Sequence, residues 1–289
     1  MCEAWFARIR AQHRSAAPLD LGELAAAGIN PIAGGGNNTI YRCEDGEWAC
    51  CVKLYRTDGR RRDEREWRAL VLCAEHLPGL APRPFAYSPD EQVPLVAMEY
   101  LPGTPLRGLT LAQGHLDALA ERLRQIYAIT PDVADYPDQS TGAATALLAR
   151  VEAWATVATP PVRDLLDRWL AGDDPRRLRQ PAASVFGVGD PNLANWLWDG
   201  VTLRRIDLEY AGWCDLASEL ADLVEGPWAR ALPDAAWPLF VARFGELDQE
   251  RFAAARRLMA HFWLALFDVR NSSQLEQQFA RVQRLMEAS

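Results

Sequence analysis

At 289 residues, 49% of them apolar, the chain has enough material for one large domain or two smaller ones, and its ordinary Gly and Pro content excludes a mostly disordered polymer. A formal charge of −8 argues against nucleic acid as a partner, and no apolar run approaches the roughly 20 residues of a membrane span. Residues 1–14 lack a signal-like apolar stretch, so the expectation is a cytoplasmic protein with no membrane partner, reduced cysteines and no zinc site.

In chain order, residues 1–28 predict one or two short helices ending at Gly28. Ile32, the Gly34–Gly36 turn with Asn37 and Asn38, and an alternating run from Thr39 to Cys43 predict strand, turn and strand. Glu44–Glu47 carries an Asp-Gly hairpin signal, and Trp48–Tyr55 is the returning strand. Residues 60–77 predict a helix with an apolar stripe of Trp67, Leu70, Val71, Ala74 and Leu77, and Glu66 at its edge. Prolines 78, 82 and 84 end it. Phe85–Tyr87 and Val93–Tyr100 predict two strands, broken at Leu101-Pro102-Gly103. From Thr104 the pattern turns helical, with stripes near 116–127, 143–154 and 162–170 and helices at 216–226, 234–244, 248–271 and 273–288. The Pro-, Asp- and Ser-rich stretch 130–142 suits a flexible loop, and Asp173-Asp174-Pro175 suits a linker.

Lys53 is the only lysine in a chain otherwise supplied with arginine, and it sits in mid-strand. A compact ammonium there is not interchangeable with a guanidinium. Further on, Asp190, Asn195 and Asp207 are spaced around a turn and a short apolar run, an arrangement that holds a proton acceptor beside a divalent metal. Each piece alone has a bland reading: the glycines as a plain turn, Glu66 as a solvated helix residue, Asp190 as a turn carboxylate. In this order, glycine hairpin, strand Lys, helix Glu, Asp, Asn and Asp form the parts list of kinase-type phosphoryl transfer.

The segments G-D-P-N-L-A-N (189–195), I-D-L-E-Y-A-G (206–212) and E-L-A (219–221) resemble the aminoglycoside phosphotransferase and choline kinase superfamily. Its catalytic segment reads H-G-D-x-x-x-x-N, followed by I-D-W/F-E-x-A-G and D-L-A. The resemblance implies a two-lobed, protein-kinase-like α+β fold. Residues 1–102 would form a nucleotide-binding lobe with an antiparallel sheet, and 103–289 a larger, mostly helical lobe for catalysis and acceptor binding. It implies Asp190 as catalytic base, Asn195 and Asp207 as Mg2+ ligands, Lys53 on the ATP or GTP phosphates and Glu66 holding it. Gly35, Gly36, Asn37 and Asn38 would cover the phosphates, and Glu99, Tyr100 and Leu101 would meet the base. Two departures stand out: Val188 replaces the family His, and Glu219 replaces the Asp that braces the catalytic loop.

The implied acceptor is a small hydroxylated molecule, aminoglycoside-like or another antibiotic or metabolite, which would make the activity one of antibiotic resistance. Asp222 and Glu225, with Asp268, would suit a cationic acceptor. Trp228 and Trp263 would suit the ammonium of choline or ethanolamine, the alternative acceptor class, although Trp263 also fits a core stripe with Phe262, Leu266 and Phe267. Glu209 is shared between a second Mg2+, a turn cap and the acceptor. A non-catalytic nucleotide-binding regulator is the alternative from another class, with Val188 as its sign.

Overall fold

The computed structural model describes residues 2–32, 38–46 and 48–287. They fall into two compact units, Met1–Thr104 with Leu197–Glu209, and Pro105–Trp196 with Tyr210–Ser289. The sequence places one division at 102/103 and does not foresee the return of Leu197–Glu209. The return has a backbone cause: Arg205, in the short strand Leu203–Arg205, donates its amide to the Leu80 carbonyl at 2.7 Å.

The first unit opens with helices α1 (Cys2–Arg14) and α2 (Leu21–Ala26), the latter capped by Asp20, which accepts the Glu23 amide at 2.9 Å. Gly28 ends α2 at φ +73°, where a Cβ would lie 2.2 Å from the Glu44 carbonyl oxygen, so only glycine fits. Strands β1 (Ile29–Ile32), β2 (Thr39–Asp45) and β3 (Trp48–Leu54) follow, then helix α3 (Arg62–His76) and strands β4 (Pro84–Ser88) and β5 (Leu95–Glu99). They form an antiparallel sheet in the order β1-β2-β3-β5-β4. Asp45 pairs with Trp48, so the hairpin is tighter than the four-residue turn the sequence suggests.

Side chains alternate across a strand, and this alternation positions the chemistry. Cys50 and Val52 face a core with Trp5, Phe6, Ile9 and Leu24 of α1 and α2. Lys53 therefore points to the other face, towards α3. The buried face of α3 carries Arg62, Glu66, Ala69, Leu70 and Cys73, while the expected stripe members Val71 and Ala74 face solvent. A stripe drawn from apolar residues alone is rotated here, because Arg62 and Glu66 are buried through ionic partners.

The second unit contains α4 (Gln113–Tyr127), α5 (Ala144–Ala155), α6 (Pro160–Leu170), α7 (Asp174–Leu178), the antiparallel strands β6 (Ser184–Gly187) and β7 (Gly212–Asp215), then α8 (Leu216–Glu225), α9 (Ala236–Val241), α10 (Gln249–Val269) and α11 (Leu275–Glu287). Helix α10 is the central element, packed by α5, α7, α8 and α11 around Leu147, Val151, Trp169, Leu258 and Leu264. The expected linker at 173–175 is instead the start of α7, where Asp174 accepts from the Trp169 indole and pairs with Arg257. Nor is 130–142 a loose loop. Trp213 donates to the Asp138 carbonyl and accepts from the Ser140 amide, both at 2.9 Å, and Thr141 donates to Tyr210 at 3.2 Å. Polar composition suggested mobility, but these backbone groups are satisfied by the segment entering β7. Among the described residues, no helix is long and apolar enough to cross a membrane.

One buried ion pair ties this unit together. Asp215 caps α8 by accepting the Ser218 amide at 3.0 Å, and both its oxygens accept from Arg251 of α10 at 3.1 Å. Arg251 also donates to the carbonyls of Arg177 and Gln180 at 3.1 Å. Replacing Arg251 by Ala leaves a buried carboxylate and several carbonyls unpaired, and is expected to destabilise the protein by about 3–5 kcal/mol. Chemical denaturation measures this; a midpoint equal to wild type contradicts it.

Candidate active site

The first unit gathers its charged side chains around Lys53, which is 5% exposed. Its ammonium donates to Glu66 at 2.6 Å and to Asp207 at 2.5 Å, with a Glu209 oxygen 3.1 Å away. Glu66 is fixed by two further donors, the Tyr55 hydroxyl at 2.6 Å and the Leu208 amide at 3.1 Å. Arg62, one helical turn before Glu66, donates to Glu209 at 3.1 Å and to Asp58 at 2.7 Å. Asn38 donates its side-chain amide to Glu209 and accepts the Arg56 amide. Asp207 reaches Lys53 from a left-handed backbone conformation, φ +64°, uncommon for a residue other than glycine.

The charges within this cluster depend on one another. Burial alone would lower the Lys53 pKa, but Asp207, Glu66 and Glu209 outweigh it and hold the ammonium well above the usual lysine range. Burial raises the Glu66 carboxyl, and Lys53 only partly offsets that. Asp207 lies below the carboxylate range: burial opposes ionisation, but Lys53, followed by Arg205 and Arg62, prevails. Oxygen atoms of Glu66, Asp207 and Glu209 lie within 4.8 Å of one another, a hard-oxygen set suited to Mg2+. Glu209, shared in the sequence reading between metal, cap and acceptor, is thus placed with Lys53 and Asp207.

Glu99, Tyr100 and Leu101 lie at the end of β5 in the same unit. Glu99 accepts the Arg83 amide at 3.2 Å, and the Tyr100 ring lies beneath the Arg42 guanidinium. Gly35, Gly36 and Asn37 fall outside the described residues. Tyr55 and Arg62 were missed in the sequence. Arg62 had a usable signal, its four-residue spacing from Glu66 on one helix face; the Tyr55 contact had none.

The second unit holds Asp190 and Asn195 together. One Asp190 oxygen accepts the Asn192 amide at 3.2 Å and the other accepts the Asn195 side-chain amide at 3.3 Å. Asn192 caps the short turn Leu193–Asn195 by accepting the Ala194 amide at 3.0 Å. Glu219 accepts the Val188 and Gly189 amides, each at 3.1 Å, and so braces the backbone leading into Asp190. Val188 is fully buried and packs as a core residue. Gly189 has φ +67°, and a Cβ there would lie 2.1 Å from the Tyr210 carbonyl oxygen, which excludes even a residue tolerant of positive φ such as Asn.

The acceptor candidates divide. Glu225 is 1% exposed on its side chain and is paired with Arg256 at 2.6 Å and Arg281 at 2.9 Å, so its oxygens are committed to structure. Asp268 is likewise spent, accepting from the amide and hydroxyl of Thr159 at 2.8 and 2.6 Å. Among the described residues, the buried Asp222 Oδ1 has no hydrogen-bond partner, and Trp228 and Trp263 each bury an indole N–H without one. The two indoles meet edge to face, 5.4 Å between centroids.

A profile of the phosphotransferase enzyme family matches residues 28–261. No curated protein matches the sequence significantly. Among solved structures, the fold is similar to a thermostable mutant of aminoglycoside phosphotransferase APH(4)-Ia in ternary complex with AMP-PNP and hygromycin B, at 14% identity over 90% of this chain and 93% of that one, TM-score 0.69. It is similar to a choline kinase from Streptococcus pneumoniae, at 13% identity over 93% and 97% of the two chains, TM-score 0.68. It is similar also to a choline/ethanolamine kinase family protein from Mesorhizobium loti, at 19% identity over 98% and 95%, TM-score 0.65. At these identities the likeness is one of fold, and the fold is protein-kinase-like.

The Lys53 cluster has a testable pH signature. In wild type the depressed Asp207 pKa contributes stability that is present above the ordinary carboxylate range and lost as pH falls through the depressed value. In Lys53→Met the carboxylates face one another without the ammonium, so their pKa values rise and their repulsion is relieved as pH falls. The variant is expected to be less stable by about 3–5 kcal/mol near neutrality, with the deficit shrinking towards pH 5. Thermal melts across pH measure this; a deficit independent of pH contradicts it.

Proposed function

Because the chain belongs to the phosphotransferase enzyme family, and is thereby a small-molecule phosphotransferase, we propose that it moves the γ-phosphate of ATP or GTP to a hydroxyl of a small acceptor. The observation that carries this reading is the buried Lys53, held among Glu66, Asp207 and Glu209. A buried ion cluster is weak evidence for stability alone, since packed apolar side chains do as well. A pre-set ammonium beside hard-oxygen ligands suits a nucleotide phosphate and a divalent metal.

Asp190 is the base in this reading. Its hydrogen bonds from Asn192 and Asn195 orient the carboxylate, and the brace from Glu219 fixes the backbone that carries it. The acceptor hydroxyl loses its proton to Asp190 as its oxygen bonds to the γ-phosphorus and the bond to the nucleoside diphosphate breaks. Asn195, through its amide oxygen, and Asp207, with Glu209 beside it, would hold Mg2+, which neutralises phosphate charge when bound. Lys53 supplies a point charge for phosphate oxygens.

The acceptor in this proposal is an aminoglycoside-like or other hydroxylated antibiotic or metabolite. An amino alcohol of the choline or ethanolamine kind is the second reading, favoured by the edge-to-face pair of Trp228 and Trp263. A non-catalytic regulator is the weaker reading, because the backbone before Asp190 is braced without the family His.

Asp190→Ala is expected to lower turnover by roughly 10²–10⁴-fold while nucleotide affinity stays at the wild-type value. Coupled ADP-release kinetics and nucleotide titration check this; wild-type turnover in that variant overturns the assignment. Lys53→Arg is expected to lose at least about tenfold in turnover although its charge is kept, since a planar fork does not replace a buried point charge. Tight Mg-nucleotide binding by the wild type, with no phosphorylated product from any hydroxylated acceptor, would favour the regulator.

A further inference from the structure

Helix α11, the 3-10 turn Pro227–Ala231 and the end of α8 enclose a cavity of about 140 Å3 that shares no residue with the Lys53 cluster or the Asp190 segment. The chain as a whole carries a charge of −8, yet the wall of this cavity is rich in arginine. Arg281 and Arg284, one turn apart on α11, line it from one element, and Arg230 lines it from the 3-10 turn.

We infer that this cavity is a binding site for the oxyanion of a small molecule, a carboxylate or a phosphate monoester, held by Arg230, Arg281 and Arg284. The inference goes beyond the phosphotransferase reading and does not depend on it.

Three observations support this. First, two of the guanidinium groups are fixed without any ligand. Arg230 donates to the Gln274 and Gln278 side-chain oxygens at 2.7 and 2.9 Å. Gln278 is itself 1% exposed and donates to the Ala260 carbonyl of α10 at 2.9 Å, so a buried, anchored amide holds Arg230 at the cavity wall. Arg281 donates to the Glu225 oxygens at 2.9 and 3.1 Å and to Asp234 at 2.8 Å. Ordering a long side chain costs rotamer entropy, and a site whose donors are ordered beforehand binds more tightly.

Second, the positive charge here is not balanced. The buried Glu225 carboxylate is shared between Arg256 and Arg281, and Asp234 is paired with Arg281. Among the described residues, that leaves Arg230 with neutral glutamine oxygens as partners and Arg284 without an ion pair. Burial, then the neighbouring Arg281 charge, draws the Arg230 pKa below the usual arginine range, the direction that a bound counter-charge reverses.

Third, the donors select the ligand. Guanidinium is a planar fork of N–H groups that matches two oxygens of a carboxylate or phosphate, and the glutamines occupy only part of the Arg230 fork. The size of the cavity suits one anionic group on a small molecule, and the acidity of the whole chain disfavours a polyanion.

The test titrates the full-length protein, by calorimetry and by thermal melts, with inorganic phosphate, glucose 6-phosphate and citrate. Glucose, and sodium chloride at matched ionic strength, are the controls. The wild type is expected to bind the phosphate probes or citrate saturably, with a Kd of about 1 mM or below, and to melt at a higher temperature with them than with either control. Arg230→Gln and Arg284→Gln alter exposed positions and are each expected to weaken that binding by roughly tenfold or more. Arg230→Lys is expected to recover only part of the loss, since a point charge does not reproduce the fork. Arg284→Gln breaks no ion pair among the described residues, so it decides the matter should Arg230→Gln fold poorly. A preference for the phosphate probes over citrate upholds the proposal with a phosphate monoester as the ligand, and the reverse preference upholds it with a carboxylate. Saturable binding left unchanged in both glutamine variants puts the anion elsewhere, the Lys53 ammonium included, and overturns the proposal. Stabilisation that sodium chloride reproduces at the same ionic strength overturns it, as does the absence of saturable binding at millimolar concentration.

Discussion

Lys53 loses nearly all its hydration in the folded chain, and it keeps its charge because Glu66, Asp207 and Glu209 close around it. Neither side of this cluster is tolerable alone. An unpaired buried ammonium costs several kcal/mol, and three carboxylates with oxygens within 4.8 Å repel one another. Much of the first unit can be understood as the means of assembling it. Strand alternation turns Lys53 away from the face of Cys50 and Val52. The phase of α3 places Glu66 and Arg62 inward together. The backbone return through Leu203–Arg205 delivers Asp207, and its left-handed φ aims the carboxylate. Strain of that kind persists only where the surroundings fix it, and here the Asp207 carbonyl is itself held by Arg205 at 3.1 Å.

The parts of the fold legible in the sequence were those with a local physical code. The β2–β3 hairpin announced itself by Asp-Gly and by alternation, and α10 and α11 lie where helices are expected at 248–271 and 273–288. The order of Lys53, Glu66, Asp190, Asn195 and Asp207 reads as kinase-type chemistry because few other functions require that order, and the structure groups Lys53 with Glu66 and Asp207, and Asp190 with Asn195. What was not legible depended on partners distant in sequence. Glu66 reads as an edge residue until Lys53, Tyr55 and the Leu208 amide are placed around it. The 130–142 stretch reads as loose because its polar composition says nothing of the Trp213 and Tyr210 backbone to which it is bonded. Glu225 and Asp222, three residues apart on one helix, read alike, and only distant arginines distinguish Glu225, paired with Arg256 and Arg281, from Asp222, whose Oδ1 has no hydrogen-bond partner among the described residues.

The second unit solves a related problem with backbone amides in place of a lysine. The segment Val188–Gly189–Asp190 leaves β6, where its N–H groups have no ladder to join, and Glu219 takes two of them. A carboxylate one methylene longer than the family Asp needs space, and the space is at Gly187. A Cβ at that position would lie 2.4 Å from a Glu219 oxygen and 2.3 Å from the Cys214 sulfur. The Glu219 carboxylate in this position and a side chain at residue 187 are therefore mutually exclusive, an adjustment shared between β6 and α8.

That adjustment changes what Val188 means. A His in its place would contribute polar bonds to the loop; Val188 instead contributes a fully buried apolar side chain and leaves the bracing to its own amide. The segment at Asp190 is thus held at two places, the amides of Val188 and Gly189 by Glu219 and the carboxylate by Asn192 and Asn195, while the close Tyr210 carbonyl restricts residue 189 to glycine. None of these requires an imidazole. Loss of the family His therefore removes one way of holding the loop without removing the hold, and Val188 by itself is no sign that Asp190 has been freed from catalytic use.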